Sequence, residues 1–175
     1  MVEMRLSGSG GQGLILAGII LAEAAILDGK NAVQSQSYGP EARGGSSKSE
    51  VLISDQLIHY TKVVKPDLLL AMTQEALDKY AHDLPGDAML VIDTTFVKAV
   101  PEKFTSVYKL PITEQAKTVL GRALFANIIA IGAIVALTKA VSTESATKAV
   151  LARVPKGTEQ KNTQALQLGM ALIKA

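Results

Sequence analysis

Gly8-Ser9-Gly10-Gly11-Gln12-Gly13 follows a short alternating apolar stretch, Val2 to Leu6, and opens an apolar helical run, Leu14 to Leu27. A strand that turns through glycines into a helix leaves free backbone N–H groups at the positive end of the helix dipole. Such a turn can cradle an anion. Gly8, Gly10 and Gly13 fit the dinucleotide spacing G-x-G-x-x-G in the strand–helix context it requires. A nicotinamide or flavin site also needs an acidic residue about 20 positions on, to hold the ribose hydroxyls. Here the second strand reads Asn31-Ala32-Val33-Gln34-Ser35-Gln36 and carries no carboxylate. The loop is therefore read as built for a phosphate or a neighbouring backbone, and no specific NAD binding is expected.

Working outward from this loop, the chain alternates strand and helix. Strands are expected at Glu3–Gly8, Asn31–Gln36, Ser49–Ser54, Asp67–Met72, Met89–Asp93 and Val107–Ile112. The third returns antiparallel, because no crossover helix precedes it. Helices are expected over Gly13–Asp28, ended by Gly29, and from a Thr73 cap to about Asp83, with Glu75 in its first turn. The C-terminal third reads as helical: a long helix capped by Thr113 and running to about Ala140, then Thr143–Arg153 and Thr158–Lys174. The fold class is α/β, a three-layer α/β/α arrangement with a mostly parallel, mixed sheet. Residues 1–175 form a single domain.

Composition narrows the function. Apolar residues make up 48% of the chain, charged ones 19% and aromatics 4%. A chain so poor in charge often covers part of its surface with a partner. The net charge is +2, with no run of Lys or Arg, so nothing points to nucleic acid. There is no cysteine, which excludes disulfides, thiolate-ligated clusters and a cysteine nucleophile. His59 and His82 have no ligand spacing around them. The longest apolar run, Ala123 to Leu137, falls short of the roughly 18 residues of a membrane span. With no signal peptide at the start, the expected location is cytoplasmic.

Three further features carry candidate chemistry. Gln36-Ser37-Tyr38-Gly39-Pro40-Glu41-Ala42-Arg43-Gly44-Gly45 is a turn-forming loop. Glu41 and Arg43 either brace each other, worth under about 1 kcal/mol, or Arg43 reaches an anionic ligand or a partner carboxylate. In a doubly wound sheet this loop leaves the carboxyl edge near the glycine loop, where ligands bind. Asn127 lies inside an apolar helix, where an unsatisfied amide costs about 1–3 kcal/mol. It bonds a nearby loop carbonyl or N–H, or it buttresses the glycine loop or the loop around Arg43. Asp93, at a strand end, is read as a cap for Thr94 or Thr95 rather than as a catalytic base. No catalytic constellation and no P-loop ending are present.

These residues carry a family resemblance. Gly8 to Gly13 resembles the G-x-G-G-Q-G opening of the gamma subunits of 2-oxoacid:ferredoxin oxidoreductases. Gln36 to Gly45 closely resembles the same family's Q-S-Y-G-P-E-A-R-G-G segment. Asp67 to Met72 with Gln74-Glu75-Ala76 looks like its P-D-x-L-x-x-x-x-Q-E-A stretch, and Val91-Ile92-Asp93 and Ala126-Asn127 fall where that pattern has equivalents. The likeness spans the chain and is nearest the 2-oxoglutarate or branched-chain type.

The resemblance implies a complex that converts a 2-oxoacid, coenzyme A and oxidised ferredoxin to acyl-CoA, CO2 and reduced ferredoxin. It implies thiamine-binding alpha and beta subunits and a ferredoxin-like subunit, which hold thiamine diphosphate with Mg2+ and the [4Fe–4S] clusters. This chain would bind none of these alone; its role would be structural and at coenzyme A entry. The expected ligand or subunit contacts are Gly8, Gly10, Gly11, Gln12, Gly13, Tyr38, Glu41, Arg43, Gly44, Gly45 and Asn127. A free-standing nucleotide- or phosphate-binding module, or the small subunit of an indolepyruvate:ferredoxin oxidoreductase, are the alternatives.

Overall fold

The computed structural model describes residues 1–37 and 46–174. Its six strands form one sheet in the order β2-β3-β1-β4-β5-β6. These are β1 (Val2–Ser9), β2 (Asn31–Ser37), β3 (Ser46–Ser54), β4 (Leu68–Ala71), β5 (Met89–Asp93) and β6 (Ser106–Leu110). β1, β4, β5 and β6 run parallel, and β3 is antiparallel to both β1 and β2. The sheet is mixed, as the sequence predicts. One refinement concerns β3, which lies between β1 and β2, so the second strand sits at the sheet edge.

Alternation along the strands sorts residues to two faces. Met4, Leu6, Val51, Ile53, Leu68, Leu70 and Val91 point into the larger core. Leu69, Ala71, Leu90 and Ile92 point into a smaller one. The larger core is roofed by α1 (Leu14–Leu27), α3 (Ile112–Leu120), α4 (Ala126–Thr138), α5 (Thr143–Arg153) and α6 (Glu159–Lys174). Ten consecutive residues of α4, Ala126 to Val135, are buried, which accounts for the apolar run in the sequence. α6 crosses it where Gly132 and Gly169 face each other's backbone with no room for a methyl group.

The other face is thinner. Among the described residues, α2 (Gln74–Tyr80) is its one helix. Beside it, β1 and β3 present polar side chains. Arg5 donates through Nε to Glu50 (2.9 Å) and through Nη1 to Asp83 (3.1 Å), and Lys48 Nζ lies 3.0 Å from Glu50. Because Glu50 also has Lys48 and Arg5 also has Asp83, losing either member of the buried pair leaves the other with one ionic partner.

The C-terminal third departs from expectation in one place. The long helix from Thr113 to Ala140 is two helices, α3 and α4, joined by a 3-10 turn at Ala123–Phe125. The cause is Gly121, at φ 84°, which closes α3 with N–H bonds from Gly121 to Lys117 O and from Arg122 to Ala116 O. Thr113 is not the cap either. Pro111 precedes the helix, Thr113 lies inside it, and β6 stops at Leu110 because Pro111 has no N–H to give the sheet. Thr73 does cap α2, its Oγ1 accepting from Ala76 N–H at 3.2 Å.

Candidate functional site

The carboxyl ends of β1, β4, β5 and β6 lie along one edge of the sheet, since those strands are parallel. At this edge the paths divide: α1 leaves β1 over the large core, and α2 leaves β4 over the small one. A switch of this kind opens a crevice in doubly wound sheets.

β1 runs through Gly8 and Ser9 before turning, with Gly8 opposite Ser47 and Ser9 opposite Ser46. The loop is closed from within. Gln12 Oε1 accepts the Ser9 N–H at 2.8 Å, and Gln12 N–H donates to Ser9 O at 3.3 Å. A Cβ at Gly8 would run into Gln12 Oε1, Leu14 and Met72, so Gly8 is required for packing. Gly13 caps α1 at φ 74°, and a Cβ there would lie 2.6 Å from Asn127 Nδ2. Asn127, buried at the start of α4, donates through Nδ2 to Gly13 O at 3.4 Å. Both accounts of Asn127 meet in this contact: it bonds a loop carbonyl, and that carbonyl belongs to the glycine loop.

Gly10 differs. A Cβ there would meet nothing within 4 Å, and its backbone is outside the left-handed region. Among the described residues, nothing requires a glycine at this position.

Beside the loop lies a cleft of about 340 Å3, lined by Ser9, Gly11, Gln12 and Gly13 on one side and by Phe96, Thr113, Lys117, Leu124 and Asn127 on the other. Its far wall is held by Asp93, which is fully buried at the end of β5. Asp93 Oδ1 accepts the Thr95 N–H at 3.0 Å, as a strand-end cap does. Oδ2 accepts the Thr113 N–H at 3.1 Å and the Thr113 hydroxyl at 2.5 Å. One carboxylate thus ties the turn bearing Phe96 to the first turn of α3, which bears Lys117. Both of its carboxylate oxygens are engaged in these structural bonds.

Phe96 and Leu124 are exposed although apolar, as is Val119 on α3. Lys117 and Arg122 are exposed nearby in sequence. This rim was not singled out from sequence. Its signal was the Gly121-Arg122 break, a C-terminal glycine followed by a cation inside an apolar stretch. Phe96 and Lys117 come from segments far apart in sequence, and only the fold brings them to the loop.

The stems of the second loop, Ser37 and Ser46, stand at this same edge, Ser46 directly opposite Ser9. Tyr38, Glu41, Arg43, Gly44 and Gly45 lie outside the described residues. His59 and His82 are exposed, and among the described residues no three His, Cys, Asp or Glu side chains converge as a metal site would need. Among those residues, no helix is long and apolar enough to cross a membrane.

Comparison with known proteins gives consistent results. Residues 3–172 match the model of the pyruvate ferredoxin/flavodoxin oxidoreductase family. The 2-oxoglutarate synthase subunit KorC of Methanocaldococcus jannaschii is 50% identical over 98% of this chain and 94% of its own length. The crystal structure of a keto/oxoacid ferredoxin oxidoreductase gamma subunit from Geobacter sulfurreducens superposes with a TM-score of 0.89, at 52% identity and 99% coverage of both chains. The ketoisovalerate oxidoreductase subunit VorA of Methanothermobacter thermautotrophicus is 33% identical over 78% of this chain, but that match spans only 28% of VorA. In that relative the same unit is part of a much longer polypeptide.

Proposed function

This chain belongs to the pyruvate ferredoxin/flavodoxin oxidoreductase family, and from that premise we propose that it is the gamma subunit of a 2-oxoglutarate:ferredoxin oxidoreductase. Higher identity to the 2-oxoglutarate synthase subunit than to the ketoisovalerate subunit supports 2-oxoglutarate as the complex's substrate. The free-standing module and the indolepyruvate subunit are the weaker readings, because a relative matching nearly end to end is a 2-oxoglutarate synthase subunit.

The reaction itself belongs to other subunits. Without cysteine this chain cannot hold a cluster by thiolates. As the family resemblance implies, thiamine diphosphate, Mg2+ and the [4Fe–4S] clusters are assigned to thiamine-binding alpha and beta subunits and a ferredoxin-like subunit. The role of this chain is to pack against the thiamine-binding subunits and to shape the entry of coenzyme A, within the cytoplasm.

The observation that carries this reading is Gly10. A glycine that none of the described residues requires, between the cleft-lining Ser9 and Gly11, is where an outside group can come close to the backbone. Exposed Phe96 and Leu124 supply apolar area for that group, and Lys117 supplies a cation. A coenzyme A phosphate or a carboxylate of a partner subunit would satisfy that cation. Arg43 is proposed to contribute a second cation from the adjoining loop.

The test is Lys117→Ala and Arg43→Ala in the reconstituted complex, reading assembly and the dependence on coenzyme A together. A raised KM for coenzyme A with the complex intact places the ligand at this edge. Dissociation on gel filtration places a subunit there instead, and either result supports the reading. If both variants leave assembly and KM unchanged, the contact lies elsewhere.

A further inference from the structure

The turn that carries Phe96 to the cleft leaves the end of β5, and every backbone N–H in it from Thr94 to Ala99 has a partner. Thr94 donates to Leu110 O at 2.9 Å, Thr95 to Asp93 Oδ1 at 3.0 Å, and Phe96 and Val97 to Asp93 O at 3.1 and 2.9 Å. The last two are taken by one side chain from another element. Gln74, the first residue of α2, accepts the Lys98 N–H at 2.9 Å and the Ala99 N–H at 3.0 Å through Oε1. Its Nε2 donates to Ala99 O and to Asp78 Oδ1, each at 2.9 Å. Two facing N–H donors fix which end of the amide is the oxygen.

Neither the helix nor the core calls for this clamp. Thr73 already caps α2. Lys98 and Ala99 are exposed, so water would satisfy their N–H groups if the amide were gone. What the four bonds supply is position. They tie the turn to α2, and the chain entering α2 is fastened to the glycine loop's own strand: Met72 N–H donates to Ser7 O at 2.9 Å, and the Met72 side chain lies against Gly8. On this pinned turn the Phe96 ring is left 44% exposed, lining the cleft across from Gly11, Gln12 and Gly13. An aromatic ring presented on a turn that is already ordered offers contact area without a further ordering cost on binding. We infer that Gln74 is a positioning residue for the cleft, holding Phe96 where an entering group meets it. The inference rests on the reading that an outside group enters beside Gly10.

Gln74→Met keeps the length of the side chain and removes all four bonds. In the full chain the melting temperature is expected to stay unchanged, while amide hydrogen exchange at Lys98 and Ala99 quickens roughly tenfold and that of β4 does not. In the reconstituted complex Gln74→Met and Phe96→Ala are expected to shift the same quantity in the same direction. That quantity is the KM for coenzyme A, raised about threefold or more at unchanged kcat, or, with a subunit in the cleft, the concentration at which the complex dissociates. Unchanged exchange at Lys98 and Ala99 overturns the inference. So does faster exchange with wild-type KM and assembly while Phe96→Ala alters either one: Gln74 is then a surface tie only, and the reading of the cleft stands. If Phe96→Ala alters neither, the reading of the cleft fails and the inference falls with it.

Discussion

Gly10 and Gly13 stand three residues apart and are glycines for opposite reasons. Gly13 is demanded from inside: a left-handed backbone caps α1, and the Asn127 amide occupies the space a Cβ would take. Gly13→Ala is expected to lower stability by about 1–3 kcal/mol, the cost of that backbone conformation with a side chain. Urea denaturation measures this directly. Gly10→Ala is expected to leave the urea midpoint of the isolated chain unchanged, because a Cβ there meets nothing within 4 Å among the described residues. In the assembled complex the same substitution should impair coenzyme A-dependent turnover at least tenfold. An equal loss of stability in both variants would mean that Gly10 is structural too. The sequence shows the glycine spacing plainly but cannot separate these two roles. The difference lies in Asn127, more than a hundred residues away.

Among elements, strands and their polarity were legible because alternation and Val/Ile/Leu runs state them locally. The break between α3 and α4 was legible in principle, through Gly121, but the apolar residues on both sides of it masked the change of direction. The far wall of the cleft was not legible, since Asp93, Phe96, Thr113 and Lys117 converge only after β5 and β6 pair. Another long-range tie joins α1 to α5. Asp28 at the end of α1 accepts the Ser142 N–H at 2.5 Å, the Ser142 hydroxyl at 2.7 Å and the Ser145 hydroxyl at 2.6 Å. Burial, the largest single influence, pushes the Asp28 carboxyl up. The bonds from Ser145 and Ser142, with Lys30, together outweigh it and hold the group below its ordinary value of 3.8. A carboxyl lowered in the folded state stabilises the fold above its unfolded value, and that stabilisation is lost as pH falls through the folded value. Asp28→Asn should therefore lower the thermal midpoint at neutral pH, and the gap to wild type should close below pH 3.8. Asp28 is only half-buried and screened by solvent, so the effect is expected to stay under about 1 kcal/mol. A gap that persists at low pH would show that the side chain acts through geometry rather than charge.

Across the whole molecule, the sequence supplied the α/β class, the mixed sheet and the family, because one domain's worth of pattern spans the chain. It did not supply the unequal layers or the position of β3 between β1 and β2, which depend on non-local pairing. Those two features matter most for assembly. They place the glycine loop and the stems of the second loop, Ser37 and Ser46, at one sheet edge, with exposed Phe96 and Leu124 beside the glycine loop. The central claim is that this chain performs no chemistry alone yet is required by a 2-oxoglutarate-oxidising complex. The direct measurement is 2-oxoglutarate- and coenzyme A-dependent reduction of a viologen dye by the thiamine-binding and ferredoxin-like subunits, with and without this chain. The account predicts no turnover by this chain alone and activity restored when it joins the other subunits. Turnover by the isolated chain, or full activity without it, would contradict the account.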